Sequence, residues 1–258
     1  MKKLLIILLC LPFIGFGQLT MIPDANFEAY LEGNGMGNGI ANDNYVSTAN
    51  IDMINVLDIS SLGIYDVTGI EAMINLNYLS CNDNFITNLN ISQNIQLSVL
   101  VAWGNYLQTI DVSSNILLDS LHLAHNGLTE LDISQNINLN SLWAYDNQLT
   151  CLDLRNGNNT NMLIGAFGNG GLLDCITVDD VSWSTTNWTA LNNSIDPFTT
   201  FSSSNCPNCP LSTAIQELTT NKELLKVIDL LRRETKQTNQ PLLYLYDDGT
   251  VEKRIVIN

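Results

Sequence analysis

The chain has 258 residues, 45% of them hydrophobic, and a net charge of −16 from 10 basic and 26 acidic side chains. So acidic a chain is repelled by nucleic acid and by anionic lipid, which excludes both as partners and leaves basic partners or divalent cations open. The charge is also uneven: Gln18 to Pro210 holds 19 acidic residues and one basic residue, Arg155, for −18, whereas Leu211 to Asn258 holds seven of each sign.

In chain order, Lys2 and Lys3 precede an apolar run from Leu4 to Phe16, with small residues just before Gln18. This predicts a secretory signal peptide over residues 1–17, cut before Gln18. The run is too short for a spanning helix. Cys10 sits too early in it, and without a small residue before it, for a lipoprotein signal. Five cysteines remain after the cut, an odd number that in an oxidising compartment predicts pairs and one leftover thiol.

Residues 18–52 read as an N-terminal cap. "PDANFEAYLEGNG" predicts a helix capped by Asp24, with Phe27 and Leu31 on one face and Gly33 as its stop. Residues 53–180 then read as a solenoid. Leu79, Leu100, Leu121 and Leu142 recur every 21 residues, and so do Asn84, Asn105, Asn126 and Asn147, and Leu89, Ile110, Leu131 and Leu152. That is a leucine-rich repeat phrase used twice per period, with half-steps of ten and eleven residues. Each half predicts one short strand followed by a corner, so stacked coils form two parallel ladders about 4.8 Å apart per strand. Their inward Leu, Ile, Val, Ala and Cys81 make one continuous core.

The asparagines fall at the corners, where the chain turns and its peptide groups lose their ladder partners. Asn tolerates the left-handed backbone, bonds to nearby main chain, and can stack on the asparagine of the next coil. Asn94, Asn115 and Asn136 serve the second corner in the same way. All are structural rather than a site. An insertion from Thr68 to Leu76 predicts a short helical turn with Thr68 as its cap. Residues 181–205, with Trp183, Trp188 and Leu191, read as the C-terminal cap, and 206–221 as a Pro-containing linker. In the tail, 222–258, "LLKVIDLL" and "LLYLY" predict strands, and "DDG" a hairpin turn before "VEKRIVI". The fold class is therefore an α/β-type solenoid, mostly β, with a helical N-terminal cap and a small β tail.

The sequence carries no phosphate loop, no G-x-S-x-G, no H-E-x-x-H and no cofactor fingerprint. Its two histidines, His122 and His125, are spaced so that a strand does not aim both at one point. Asp111, Asp132 and Asp153 line up on the second ladder, a solvated face by default and a conceivable calcium site. No other cofactor is expected. Cys151 and Cys175 hold one repeat position in successive coils, near enough for a coil-to-coil disulfide. Cys206 and Cys209 close a small loop or pair elsewhere, and Cys81 is left unpaired in the core.

The first ladder is the functional lead. Its outward positions carry Val101, Trp103, His122, Trp143, Tyr145 and Phe167, whereas the second carries mostly Asp, Asn, Ser and Thr. Clustered aromatics on a rigid surface mark binding sites for proteins or sugar rings. The expected function is non-catalytic binding of an extracellular protein or polysaccharide. The alternatives are an enzyme acting on polysaccharide, which would need paired carboxylates facing a cleft, and a ligand-free structural protein.

"IPDANFEAYLE", "NDNYVSTANI", "VTGIEAMINLNYLSCNDN", the repeats and "CITVDDVSWSTTNW" together resemble leucine-rich repeat proteins secreted by Gram-negative bacteria. The tail "KELLKVIDLLRRETKQTNQPLLYLYDDGTVEKRIVIN" resembles the second half of the C-terminal sorting domain of the type IX secretion system. The residues that carry this likeness are Asp229, Leu230, Leu231, Arg233, Glu234, Tyr246, Asp248 and Gly249, while Arg232 stands where that family usually has glycine. The resemblance implies export to the periplasm, then passage across the outer membrane by the type IX machinery, with the tail usually cleaved. It places the protein outside the cell or on its outer surface.

Overall fold

The computed structural model describes residues 18–166, 168–207 and 209, together with three strands of the tail. The signal-peptide segment 1–17 and Phe167 lie outside the described residues, as do Leu230, Leu231, Arg233, Glu234, Asp248 and Gly249. The chain divides into two compact units, Met1–Leu211 and Ser212–Asn258. Among the described residues no helix is long and apolar enough to cross a membrane.

In the first unit, β1 (Leu19–Met21) is followed by α1 (Ala25–Gly33), and then by β2 (Tyr45–Ser47), which pairs antiparallel with β1. Asp24 starts α1 by accepting from the Asn26 and Phe27 N–H groups, as its position predicts, and Phe27 and Leu31 are fully buried. A short helix α2 (Thr48–Ile51) leads into β3 (Val56–Asp58). The insertion forms a 310 turn, Ile70–Ala72, but Thr68 is not its cap. Gly69 holds that place, at φ 102°, a left-handed conformation open to glycine.

The coils follow with β4 (Tyr78–Ser80), β5 (Val99–Val101), β6 (Ser120–His122), β7 (Glu130–Asp132), β8 (Ser141–Trp143), β9 (Cys151–Asp153), β10 (Leu163–Gly165) and β11 (Cys175–Thr177). After α3 (Val181–Asn187) comes β12 (Thr200–Ser202). Six strands form one parallel ladder in the order β10-β8-β6-β5-β4-β3, and its register sets Leu57, Leu79, Leu100, Leu121 and Leu142 side by side. These leucines are buried, as period-2 inward residues should be. One core runs from Ile22 to Ile195 without a break.

The second ladder is shorter than the repeat predicts. It holds four strands, β12-β11-β9-β7, and begins only at Glu130. Leu89 and Ile110 sit at the right interval, and Leu89 is buried, but neither lies in a strand. Burial follows the side-chain period, whereas a ladder also needs neighbouring backbones in bonding register. Beyond it, Trp188 is buried and Trp183 packs partly against the core, but Leu191 is 99% exposed and covers nothing.

The corner asparagines act through main chain, not through one another. Asn147 donates to the carbonyls of Leu123 at 2.9 Å and Ala144 at 3.2 Å, and accepts from the Leu128 N–H at 3.0 Å. Asn105 repeats the pattern with Cys81, Ala102 and Ile86. At the second corner, Asn115 donates to Ile91 and Asn94, and Asn136 to Val112 and Asn115. The left-handed residue is not asparagine either. It is the preceding position, held by Asp83, Gly104, His125, Asp146 and Gly168 at φ between 52° and 73°.

The disulfides differ from the expected staple. Cys151 bonds Cys209 and Cys175 bonds Cys206, with Cα separations of 4.7 and 5.8 Å. Side by side in parallel strands, Cys151 and Cys175 present their sulfurs in one direction. The chain after β12 turns back at Cys206, where the Cys209 N–H bonds the Cys206 carbonyl, and offers each its own partner. The four sulfurs form one buried cluster. Cys81 is free and fully buried, and burial pushes its thiol up to about 12.

The second unit contains β13 (Leu224–Asp229), β14 (Pro241–Tyr246) and β15 (Val251–Ile255), an antiparallel meander in that order. Asp229 ends β13 and Tyr246 ends β14.

Candidate binding face

On the first ladder, Val101, His122 and Trp143 stand in register on β5, β6 and β8, followed by Gly165 on β10. Two residues further along each strand run Trp103, Ala124 and Tyr145. In this second row a small side chain therefore stands between two large ones. A Cβ at Gly165 would stand 2.6 Å from Trp143 Cε3, so the indole lies over the glycine. Buried Ala124 likewise leaves space between Trp103 and Tyr145.

Trp103, His122, Ala124, His125, Trp143 and Tyr145 line one cleft of about 390 Å³. The ring centroids of Trp143 and Tyr145 lie 6.4 Å apart, edge to face, and those of His122 and Trp143 lie 6.3 Å apart. The structure thus gathers four of the sequence-selected residues, Trp103, His122, Trp143 and Tyr145. Val101 neighbours them in register without lining the cleft. All five are half-buried, so the rings are held by neighbours rather than standing free.

His122 is packed so that burial holds its pKa below the usual 6.5 and favours the neutral ring. Its Nε2 and the Ser120 hydroxyl are 3.0 Å apart. His125, not selected from the sequence, completes the cleft wall. Its ring meets Tyr145 edge-on at 5.1 Å, and its Nδ1 lies 3.3 Å from Asp146. The signal for it is its place immediately before corner Asn126, the left-handed position.

The aspartate row has a local purpose. Asp111, Asp132 and Asp153 each accept from the main-chain N–H two residues on, at Ser113, Ser134 and Arg155. These are Asx turns that close the coil after the strand. The Ser113 bonds hold Asp111 below the usual carboxylate range. Asp153 is buried, and Arg155 Nε bonds it at 3.0 Å, so the one basic side chain of the solenoid neutralises the buried acid. Among the described residues, no cluster of three His, Cys, Asp or Glu side chains is placed to hold a metal ion.

A ladder of 21-residue coils over a continuous leucine core, turned at asparagine corners, is a leucine-rich repeat fold. The chain is similar to internalins of Listeria monocytogenes. The functional domain of InlJ, which includes a cysteine ladder, matches at 29% identity and a TM-score of 0.53, over 63% of this chain and 38% of that one. Internalin C2 matches at 20% identity and a TM-score of 0.51, over 70% of this chain and 87% of that one. The chain therefore spans well under half the length of the InlJ domain. No family model and no curated protein matches the chain.

Proposed function

We propose that this is a non-catalytic leucine-rich repeat protein, acting outside the cell, that binds a protein partner through the cleft of Trp103, His122, Trp143 and Tyr145. The observation that carries the reading is the gathering of rings around Ala124 on a rigid ladder. Solenoids offer extended surfaces for binding, and buried aromatic anchors dominate such interfaces. Two disulfides suit an oxidising compartment. A glycosidase-like role finds no support in the cleft, since no carboxylate lines it among the described residues. The conceivable calcium site on the aspartate row is weakened by Arg155, which already compensates Asp153.

Trp103→Ala with Tyr145→Ala should leave melting nearly unchanged, because neither residue belongs to the buried core. Binding to extracellular proteins of the native surface should fall by roughly 30-fold or more, the usual consequence of losing such anchors. Unchanged binding by the folded double variant would remove the cleft as the site. Transfer of the loss to isolated polysaccharides would make the ligand a glycan instead.

We also keep export by the type IX machinery as a proposal for the tail. It is supported by a separate charge-balanced segment and its β meander. Residues 211–258 fused to a periplasmic reporter should carry it out of a host with that system. A reporter retained in the periplasm counts against the role, and rescue by Arg232→Gly would trace the failure to that position.

A further inference from the structure

Tyr65, Phe85 and Tyr106 form a second aromatic feature, outside the cleft. Their rings stack along the solenoid, with centroids 4.7 and 6.1 Å apart and planes within 24° and 13° of parallel. All three are exposed. Phe85 and Tyr106 each follow a corner asparagine, Asn84 and Asn105. In the next coil the same position is Gly127, and in the one after it Gln148. Among the described residues no ring covers the second face of Tyr106. A cleft of about 670 Å³ opens there, with Tyr106, Gln108, His125, Gly127, Asp146 and Gln148 among its walls.

The fold does not demand glycine at 127. A Cβ there would meet nothing nearer than the Leu107 carbonyl at 3.5 Å, with the Gln108 and Gln148 side chains at 3.9 Å, ordinary contacts. Gly104 differs, since it takes φ 67° and has the Asp83 carboxylate 2.8 Å from the same point. The missing ring at 127 is therefore a vacancy in the stack rather than a backbone requirement. Tyr106 and Gln148 stand two coils apart, about 10 Å at strand spacing, which leaves room for one planar group between them.

The walls select the group. The Asp146 carboxylate is about half exposed beside His125, and the neutral side chains of Gln108 and Gln148 border the slot without adding charge. Residues 18–210 carry 19 acidic side chains against Arg155 alone. A planar cation fits all of these features. A guanidinium stacks on an aromatic face and presents forked donors to a carboxylate, which an ammonium cannot do. We infer that the slot over Gly127 receives an arginine side chain from a basic segment of the protein partner. This rests on the reading of the neighbouring cleft as a protein-binding site, the two sharing His125.

The test uses the full chain and three probes: hexaarginine, hexalysine and a neutral cellohexaose, titrated calorimetrically at about 0.15 M salt, where diffuse charge attraction is screened beyond ~8 Å. Hexaarginine should bind about tenfold more tightly than hexalysine. Gly127→Tyr fills the slot and Tyr106→Ala removes its wall; neither changes a charge, and each should erase the arginine preference. Tyr106→Ala alters an exposed ring and keeps the test valid if Gly127→Tyr fails to fold. Equal affinity for the two peptides, or a preference that survives both substitutions, overturns the inference. Binding of cellohexaose that Gly127→Tyr abolishes assigns the slot to sugars and overturns it as well. No native partner enters these titrations, so their failure is separate from any failure of Trp103→Ala with Tyr145→Ala.

Discussion

Replacing Cys206 and Cys209 together with serine should produce the largest loss of stability of any change considered. The two bridges close loops with sequence separations of 31 and 58 residues. Chain-entropy arguments assign about 3–4 kcal/mol to each bridge. The four sulfurs also form a buried cluster, so the substitution leaves hydroxyls and unpaired thiols where a dry contact stood. Melting should fall by on the order of 10–20 °C for a domain of this size. Non-reducing peptide mapping of the native protein should show Cys151–Cys209 and Cys175–Cys206, with Cys81 alkylated only after unfolding. A Cys151–Cys175 peptide would contradict the path of the chain after β12.

Asn147→Ala is the second. It deletes the bonds to the Leu128 N–H and the Ala144 carbonyl, neither of which has another partner among the described residues. Each buried orphan costs about 1–3 kcal/mol, so the loss should be roughly 2–4 kcal/mol by urea unfolding. Asn138→Ala is the control. It removes one exposed bond, to Ile116, and should cost less than about 1 kcal/mol. Equal effects at the two positions would mean that the corner asparagines are not structural.

Much of the fold is legible because the leucine interval has a single solution. Leu79, Leu100, Leu121 and Leu142 must stack if they are to share a core, and they do. The second ladder is less legible, because Leu89 can be buried by the same period without its backbone pairing. The left-handed corner hides for a related reason. Its residues are Asp83, Gly104, His125, Asp146 and Gly168, five positions with three residue types and one conformation. The disulfide partners depended on where the chain travels after β12, which no repeat encodes.

In the site, Trp103, Trp143 and Tyr145 are legible as outward residues of the first ladder. The stack of Tyr65, Phe85 and Tyr106 is not, because those positions lie past the corner, where neither strand nor helix period applies. A second regular apolar row, Ile95, Ile116 and Ile137, is exposed at the opposite corner. It is the natural competitor for a partner.

Hydroxyl-radical footprinting with and without proteins of the native cell surface chooses between these faces. Indole and phenol rings are labelled readily, and each residue is read separately. Trp103, Trp143 and Tyr145 should be protected on binding, with labelling of Ile95, Ile116 and Ile137 unchanged. Protection of the isoleucine row with the three rings still labelled would contradict it.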